Sequence, residues 1–169
     1  MKLLSTIILM SLATTLAAQY PATSIGLRAG GVSGFSMKYI DEDLTGVEVI
    51  AGWQENGFRL VGLIEKYKPI ATHRLANLFL VTGIGAHSGY IRYHEKKNWY
   101  SDNEKLYYTY NHSSPVFGGD FLAGVEYHFE SIPLHFSIDY KPYFQLFGDR
   151  NFRVDLWDFG FTFRYALNN

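Results

Sequence analysis

The sequence predicts an all-β fold, a closed antiparallel up-and-down transmembrane β-barrel of about eight strands. Three observations predict it. Apolar and polar residues alternate with period two through most of the chain, and only strands keep such residues on separate faces. Mid-strand charges gather on one face of each strand, while bulky apolar rows line the other. No intervening segment is long enough for a crossover helix, so neighbours pair as hairpins, and closing the sheet removes its edges.

The pattern is plainest in Val154–Leu167. Trp157, Phe159, Phe161, Phe163, Tyr165 and Leu167 fall on one face, and Asp158, Gly160, Thr162, Arg164 and Ala166 on the other. The totals agree. Among 169 residues are 13 Tyr, 13 Phe and 16 Gly, a composition suited to strands and tight turns. Charged residues make up 18%, below the roughly 25% of an average soluble chain. The formal net charge of -1 gives no reason to expect a nucleic-acid partner. With no Cys there is no disulfide, thiolate metal site or cysteine nucleophile.

Residues 1–18 read as a secretory signal peptide. Lys2 is the positive n-region, Leu3 to Leu16 a short apolar stretch, and Leu16-Ala17-Ala18 a small-residue cleavage site. The remainder, 19–169, is expected to be one domain. No later apolar helix approaches the 20 or so residues of a helical span. The mature chain is therefore expected in the periplasm, outside the cell or in an outer membrane.

The strands follow in order. Ile25, Leu27 and Ala29 oppose Gly26 and Arg28; after the glycines at 30, 31 and 34, Phe35, Met37 and Tyr39 alternate with Ser36 and Lys38. Beyond the Asp41–Asp43 turn, Thr45, Val47, Val49, Ala51 and Trp53 alternate with Gly46, Glu48, Ile50 and Gly52. Asn56-Gly57 signals a hairpin. Phe58 to Tyr67 sets Arg59, Val61, Leu63 and Glu65 against Phe58, Leu60, Gly62 and Ile64. Residues 69–77 connect, with room for a helical turn. Leu78–Tyr93 is a long strand, and the polar run His94–Ser114 interrupts the pattern. Val116–Phe129 resumes it, with Phe117, Phe121 and Val125 opposite Asp120, Leu122, Gly124 and Glu126. After the 130–133 turn, Phe136, Ile138 and Tyr140 oppose His135, Ser137, Asp139 and Lys141. Residues 148–151 close the last loop.

Which face points inward follows from volume. About eight strands enclose a lumen only just wide enough for side chains. The aromatic rows would overpack it, whereas a face rich in glycine and in charges of both signs fits. The lumen is therefore expected to be polar and filled, with a mixed-sign network including Arg28, Glu48, Arg59, Asp120, Glu126, Asp139 and Arg164. The apolar rows would face lipid, flanked by aromatic girdles with Trp53, Tyr90 and Trp157 at one end and Tyr39, Tyr67, Tyr127, Phe129 and Tyr165 at the other. With the N-terminus in the periplasm, His94–Ser114 lies outside the cell. Trp99, Tyr100, Tyr107, Tyr108 and Tyr110 there, interleaved with charges, are candidate contact residues for a surface partner. The alternative is a simple hairpin in which 105–110 pairs with 89–94.

Together, the leader, Gly124-Val125-Glu126-Tyr127-His128-Phe129, the Ile132-Pro133-Leu134 turn into Phe136-Ser137-Ile138-Asp139-Tyr140-Lys141-Pro142, and the closing Phe163-Arg164-Tyr165 carry a resemblance. The chain resembles the small outer-membrane β-barrel proteins abundant in Bacteroidota, of the general type of the eight-stranded OmpA transmembrane domain. The resemblance implies an outer-membrane location and contact with membrane lipid; it implies no activity. Barrels of this kind usually end on an aromatic residue, and here Ala166–Asn169 follow Tyr165.

No motif calls for a cofactor or a metal. His87, His94, His112 and His128 lack metal-ligand spacing, though His94 and His112 could meet across the long loop. The glycines at 83, 85 and 89 recur at period two with no following helix, so they leave lumen space and do not cradle a nucleotide. His135 and Ser137, with Asp149 as acid, have the residue types of a lipid A deacylase site. Their share of a face with Asp139 and Lys141 favours lumen packing instead. The reading is a non-catalytic outer-membrane barrel. One alternative is an enzyme acting on outer-membrane lipid; the other is a secreted, lipocalin-like binder of an apolar ligand with the faces reversed.

Overall fold

The computed structural model describes residues 22–54, 57–70, 77–101, 104–147 and 152–167, with side chains described outside 93–111. The expected leader at 1–18, Asn56, the interior of the 69–77 connection and the 148–151 turn lie outside the described residues.

Ten strand segments form the sheet: β1 (Ala22–Gly30), β2 (Ser33–Ile40), β3 (Thr45–Gln54), β4 (Gly57–Pro69), β5 (Leu78–Ser101), β6 (Glu104–His128), β7 (Leu134–Tyr140), β8 (Tyr143–Leu146), β9 (Phe152–Asp155) and β10 (Phe159–Ala166). All pairings are antiparallel between neighbours, and β1 closes on β10 to give an eight-strand barrel. The eight arise because two staves are broken. Pro142, which cannot donate a ladder hydrogen bond, separates β7 from β8. Residues 156–158 separate β9 from β10, and there Leu156 and Trp157 both point outward. That shifts the alternation by one, so Val154 is exposed although it lies an odd number of residues from Trp157. The Lys141 N–H donates to Asp158 O at 2.7 Å and keeps the two broken staves together.

Period two survives within every strand segment. Arg28, Lys38, Glu48, Arg59, Glu65, Asp120, Glu126, Asp139, Lys141 and Arg164 are all buried, while Phe35, Ile64, Ile84, Phe121 and Phe161 are at least half exposed. Glycine makes the room. A Cβ on Gly160 would sit 2.3 Å from the Arg28 guanidinium, and one on Gly85 would sit 2.7 Å from Leu63 Cδ2.

Three expectations need correction. The lumen is not purely polar: Val32, Ile40, Ile50, Val61, Leu63, Val81 and Leu122 form a buried apolar cluster inside it, with Leu44 packed against them. Leu44 reaches that place from a left-handed backbone (φ 56°), fixed by its N–H to Asp41 O at 3.0 Å and by the Tyr67 N–H donating to Leu44 O at 2.9 Å. Tyr67 is not a girdle residue. It shares the inward parity of Arg59 and Glu65 and is 6% exposed. The run 94–114 does not interrupt the strands: β5 and β6 stay paired from Leu78↔Tyr127 to Ser101↔Glu104. The hairpin alternative is closer, but Lys105 pairs with Tyr100 and Tyr110 with Glu95, six residues beyond the expected 89–94. Past Ile91, the last β5 partner of β4, this ribbon has no third strand beside it among the described residues. Ten residue pairs at about 3.4 Å each carry it roughly 30 Å beyond the barrel wall.

Candidate functional site

The barrel's chemistry lies in its lumen, where the inward parity of the staves converges the charges. Among the described residues, five buried Arg and Lys side chains face six buried Asp and Glu side chains. They sort into three tiers along the axis.

The first tier lies toward the end where β1 begins and β10 ends. Arg164 pairs with Glu48 and, at 3.2 Å, with Glu126. Lys38 Nζ lies 2.8 Å from Glu65, 3.0 Å from Glu126 and 3.3 Å from Glu48. Hydroxyls complete the set. Arg164 Nε donates to Ser36 Oγ at 2.8 Å and its Nη1 to Ser137 Oγ at 3.0 Å, while Tyr67 Oη donates to Glu126 Oε2 at 3.1 Å. Each of these ions is at most 2% exposed, so each needs its partners to offset the loss of water.

The middle tier joins Arg28 to Asp139 at 2.5 Å, with Asp158 3.7 Å from Arg28 and 2.8 Å from Lys141. Lys141 also reaches Asp120 at 3.1 Å, whose other oxygen lies 2.7 Å from His87 Nδ1. In the third tier Arg59 donates to Gln145 at 2.8 Å and lies 4.2 Å from the Tyr143 ring centroid. The Tyr143 hydroxyl accepts from Gln54 Nε2 at 2.7 Å.

All seven residues expected in the network are thus inside, and six of them make ion pairs. Arg59 differs: its described partners are an amide and an aromatic face. Beyond the seven expected members, Lys38, Glu65, Lys141, Asp158, Tyr67, His87 and the serines also belong to the network. Parity alone would have recovered Asp158, which sits on the inward face with Arg164.

His135 and Ser137 are both buried in the lumen, where Ser137 Oγ accepts from Arg164; Asp149 lies outside the described residues. His94 and His112 do not pair: the register sets His94 opposite Asn111 and His112 opposite Tyr93. The side chains of Trp99, Tyr100, Tyr107, Tyr108 and Tyr110 lie outside the described residues; their backbones are paired within the ribbon.

The lumen is tightly filled. A cavity of about 10 Å³ lies beside Lys38, Glu48, Glu126 and Arg164, room for about one water. An ion would meet paired charges in two tiers, the Arg59 guanidinium in the third, and apolar plugs between them. The purified protein in planar bilayers is therefore expected to give no reproducible single-channel steps, and steady unitary conductance would contradict the packing described. No family model, curated protein or solved structure matches the chain.

Proposed function

We propose that the chain is a small integral outer-membrane barrel, non-catalytic, whose outer surface is solvated by lipid and whose β5–β6 ribbon stands outside the cell as a contact surface. The observation that carries this reading is the sense of the alternation. Phe35, Phe121, Phe161 and Phe163 are 50–63% exposed, while Glu126, Arg164 and Lys141 are at most 1% exposed. Charge inside and apolar side chains outside is the arrangement that a bilayer rewards and water penalises. Soluble monomers rarely expose apolar patches beyond a few hundred Å², and this one encircles the barrel.

Aromatic contacts near the barrel ends fit interfacial girdles. Trp53 and Phe58 meet edge to face at 6.2 Å and Phe58 lies 6.5 Å from Tyr90, while Tyr127 and Phe129 meet at 5.0 Å at the opposite end. Outward lysines fall near the strand ends, as Lys66 and Lys68 do in β4. A ribbon of two strands is marginal alone in water, which suits a segment that gains order by touching a partner.

Fractionation tests the reading. The protein is expected in the outer-membrane fraction, released by detergent but not by high salt or carbonate. Protease added to intact cells is expected to cut near Lys96, Lys97 or Lys105 and leave the barrel embedded. Recovery in the soluble periplasm would overturn the membrane assignment, and cleavage only after the outer membrane is opened would reverse the orientation.

A further inference from the structure

At the end of the lumen where β1 begins and β10 ends, the hairpin between β6 and β7 brings together three side chains with metal-binding chemistry. Glu126 and His128 are two apart on β6 and share the inward face. His135 lies directly across from His128 in the register. The turn that sets this register is tight, with the Phe129 N–H donating to Leu134 O at 3.0 Å. The His128 N–H turns away to Asn77 O at 3.0 Å, so the two histidines face each other without that backbone bond between them. Their rings stack at 3.7 Å with planes 8° apart.

The Glu126 carboxylate is divided. Oε2 takes Lys38, Tyr67 and Arg164. Oε1 has none of these and faces the imidazoles, 2.8 Å from His128 Nε2 and 3.8 Å from His135 Nδ1. The last distance is too long for a hydrogen bond, and His135 Nδ1 is buried with no partner, on a residue 4% exposed. One ligand atom from each of the three residues lies within 4.8 Å of the other two.

We propose that Glu126, His128 and His135 bind a divalent transition-metal ion of the Zn²⁺ class. Two imidazole nitrogens and one carboxylate oxygen are a borderline-soft donor set, suited to Zn²⁺, Ni²⁺ or Cu²⁺ and not to Ca²⁺ or Mg²⁺. An ion held at the nitrogen edges of the two rings gives His135 Nδ1 the partner it lacks and binds the carboxylate oxygen that the lumen cations leave open. Arg164, Lys38 and Tyr67 hold Glu126 in place from behind, the role outer partners play at metal sites. The positive charge of Arg164 and Lys38 also weakens the site, so it is an exchangeable site and not a permanent structural one. Access is from the lumen mouth, where the His128 side chain is 14% exposed. Three protein ligands leave a fourth position for water or an incoming ligand.

The test uses the full barrel, folded in detergent and stripped by chelator. Titration with Zn²⁺ is expected to show one ion per chain, and Co²⁺ is expected to give the visible absorption of a low-coordinate nitrogen–oxygen site. Glu126 is too deep in the ion network to substitute safely, so the variants are His128→Gln and His135→Gln, with folding judged by heat-modifiable migration. Each is expected to lose roughly tenfold or more in Zn²⁺ affinity, and the double variant to lose the stoichiometric site. Bound Zn²⁺ is also expected to protect His128, the partly exposed ligand, from diethylpyrocarbonate in the unmodified protein, a readout that needs no variant. Absence of stoichiometric binding overturns the proposal. So does full binding by the folded double variant, or protection confined to other histidines.

Discussion

Arginine in place of Phe161 is expected to destabilise the barrel by about 2 to 4 kcal/mol when it is folded into lipid. Phe161 sits in the middle of β10, opposite Ala29 on one side and Ile138 on the other, and is half exposed. A guanidinium there has no protein partner and must either enter hydrocarbon or drag water and headgroups toward it. Phe121, in the middle of β6 opposite Ile84, should behave alike. The cost depends on depth: the same change at Leu167, at the end of the closing strand, should cost no more than about 1 kcal/mol. Gly124→Arg should fail in a different way. A Cβ there would stand 2.5 Å from Ile138 O and 2.8 Å from Asp139 Cβ, so the inward face is overpacked whatever solvates the outside. Urea unfolding in phospholipid vesicles reads all four variants. Equal stabilities at Phe161 and Leu167 would mean that the outer face does not contact a hydrocarbon slab, and the membrane reading would fall with it.

Much of this architecture was legible because a strand's side-chain period is a property of the backbone. Once Arg164 and Phe163 are assigned to opposite faces, Thr162, Gly160 and Asp158 follow, and the same parity carries across each hairpin to Asp139, Glu126 and Glu48. Errors came where a residue type was weighed above parity or where parity itself breaks. An aromatic near a strand end such as Tyr67 reads as a girdle residue, yet its inward position puts its hydroxyl beside Lys38 and Glu126. The 94–114 run reads as an interruption because it carries no alternating apolar row. Its pairing depends on backbone hydrogen bonds, which composition does not report. The break at residues 156–158 shifts a stave that otherwise looks continuous, whereas parity and register run unchanged across Pro142. The His128–His135 pair was missed because the residues are seven apart. They meet only when the turn between them has a known length, and Glu126 and His128 at i and i+2 on the strand entering a tight turn were the available hint.

Arg164 is expected to matter more than any other single lumen charge. It and Lys38 are the two cations set against Glu48, Glu65 and Glu126. Glu126→Gln removes one acid and leaves two cations beside two acids, so its main cost is the lost bonds from Lys38, Arg164, Tyr67 and His128. Arg164→Met leaves three buried carboxyl groups around one lysine and also strips Ser36 and Ser137 of their donor. Breaking a buried pair from one side costs roughly 3 to 5 kcal/mol. Arg164→Met is expected at the top of that range and Glu126→Gln at the bottom. Adding Glu48→Gln to Arg164→Met withdraws the carboxylate most exposed by the loss, so the double variant should be more stable than the sum of its parts by about 0.5 to 3 kcal/mol. Unfolding midpoints of the three variants and the parent, taken in the same vesicles, decide it. An Arg164→Met barrel within about 0.5 kcal/mol of the parent, or strict additivity with Glu48→Gln, would mean that water reaches these charges. The lumen would then be a wet, screened channel and not the sealed network that its distances describe.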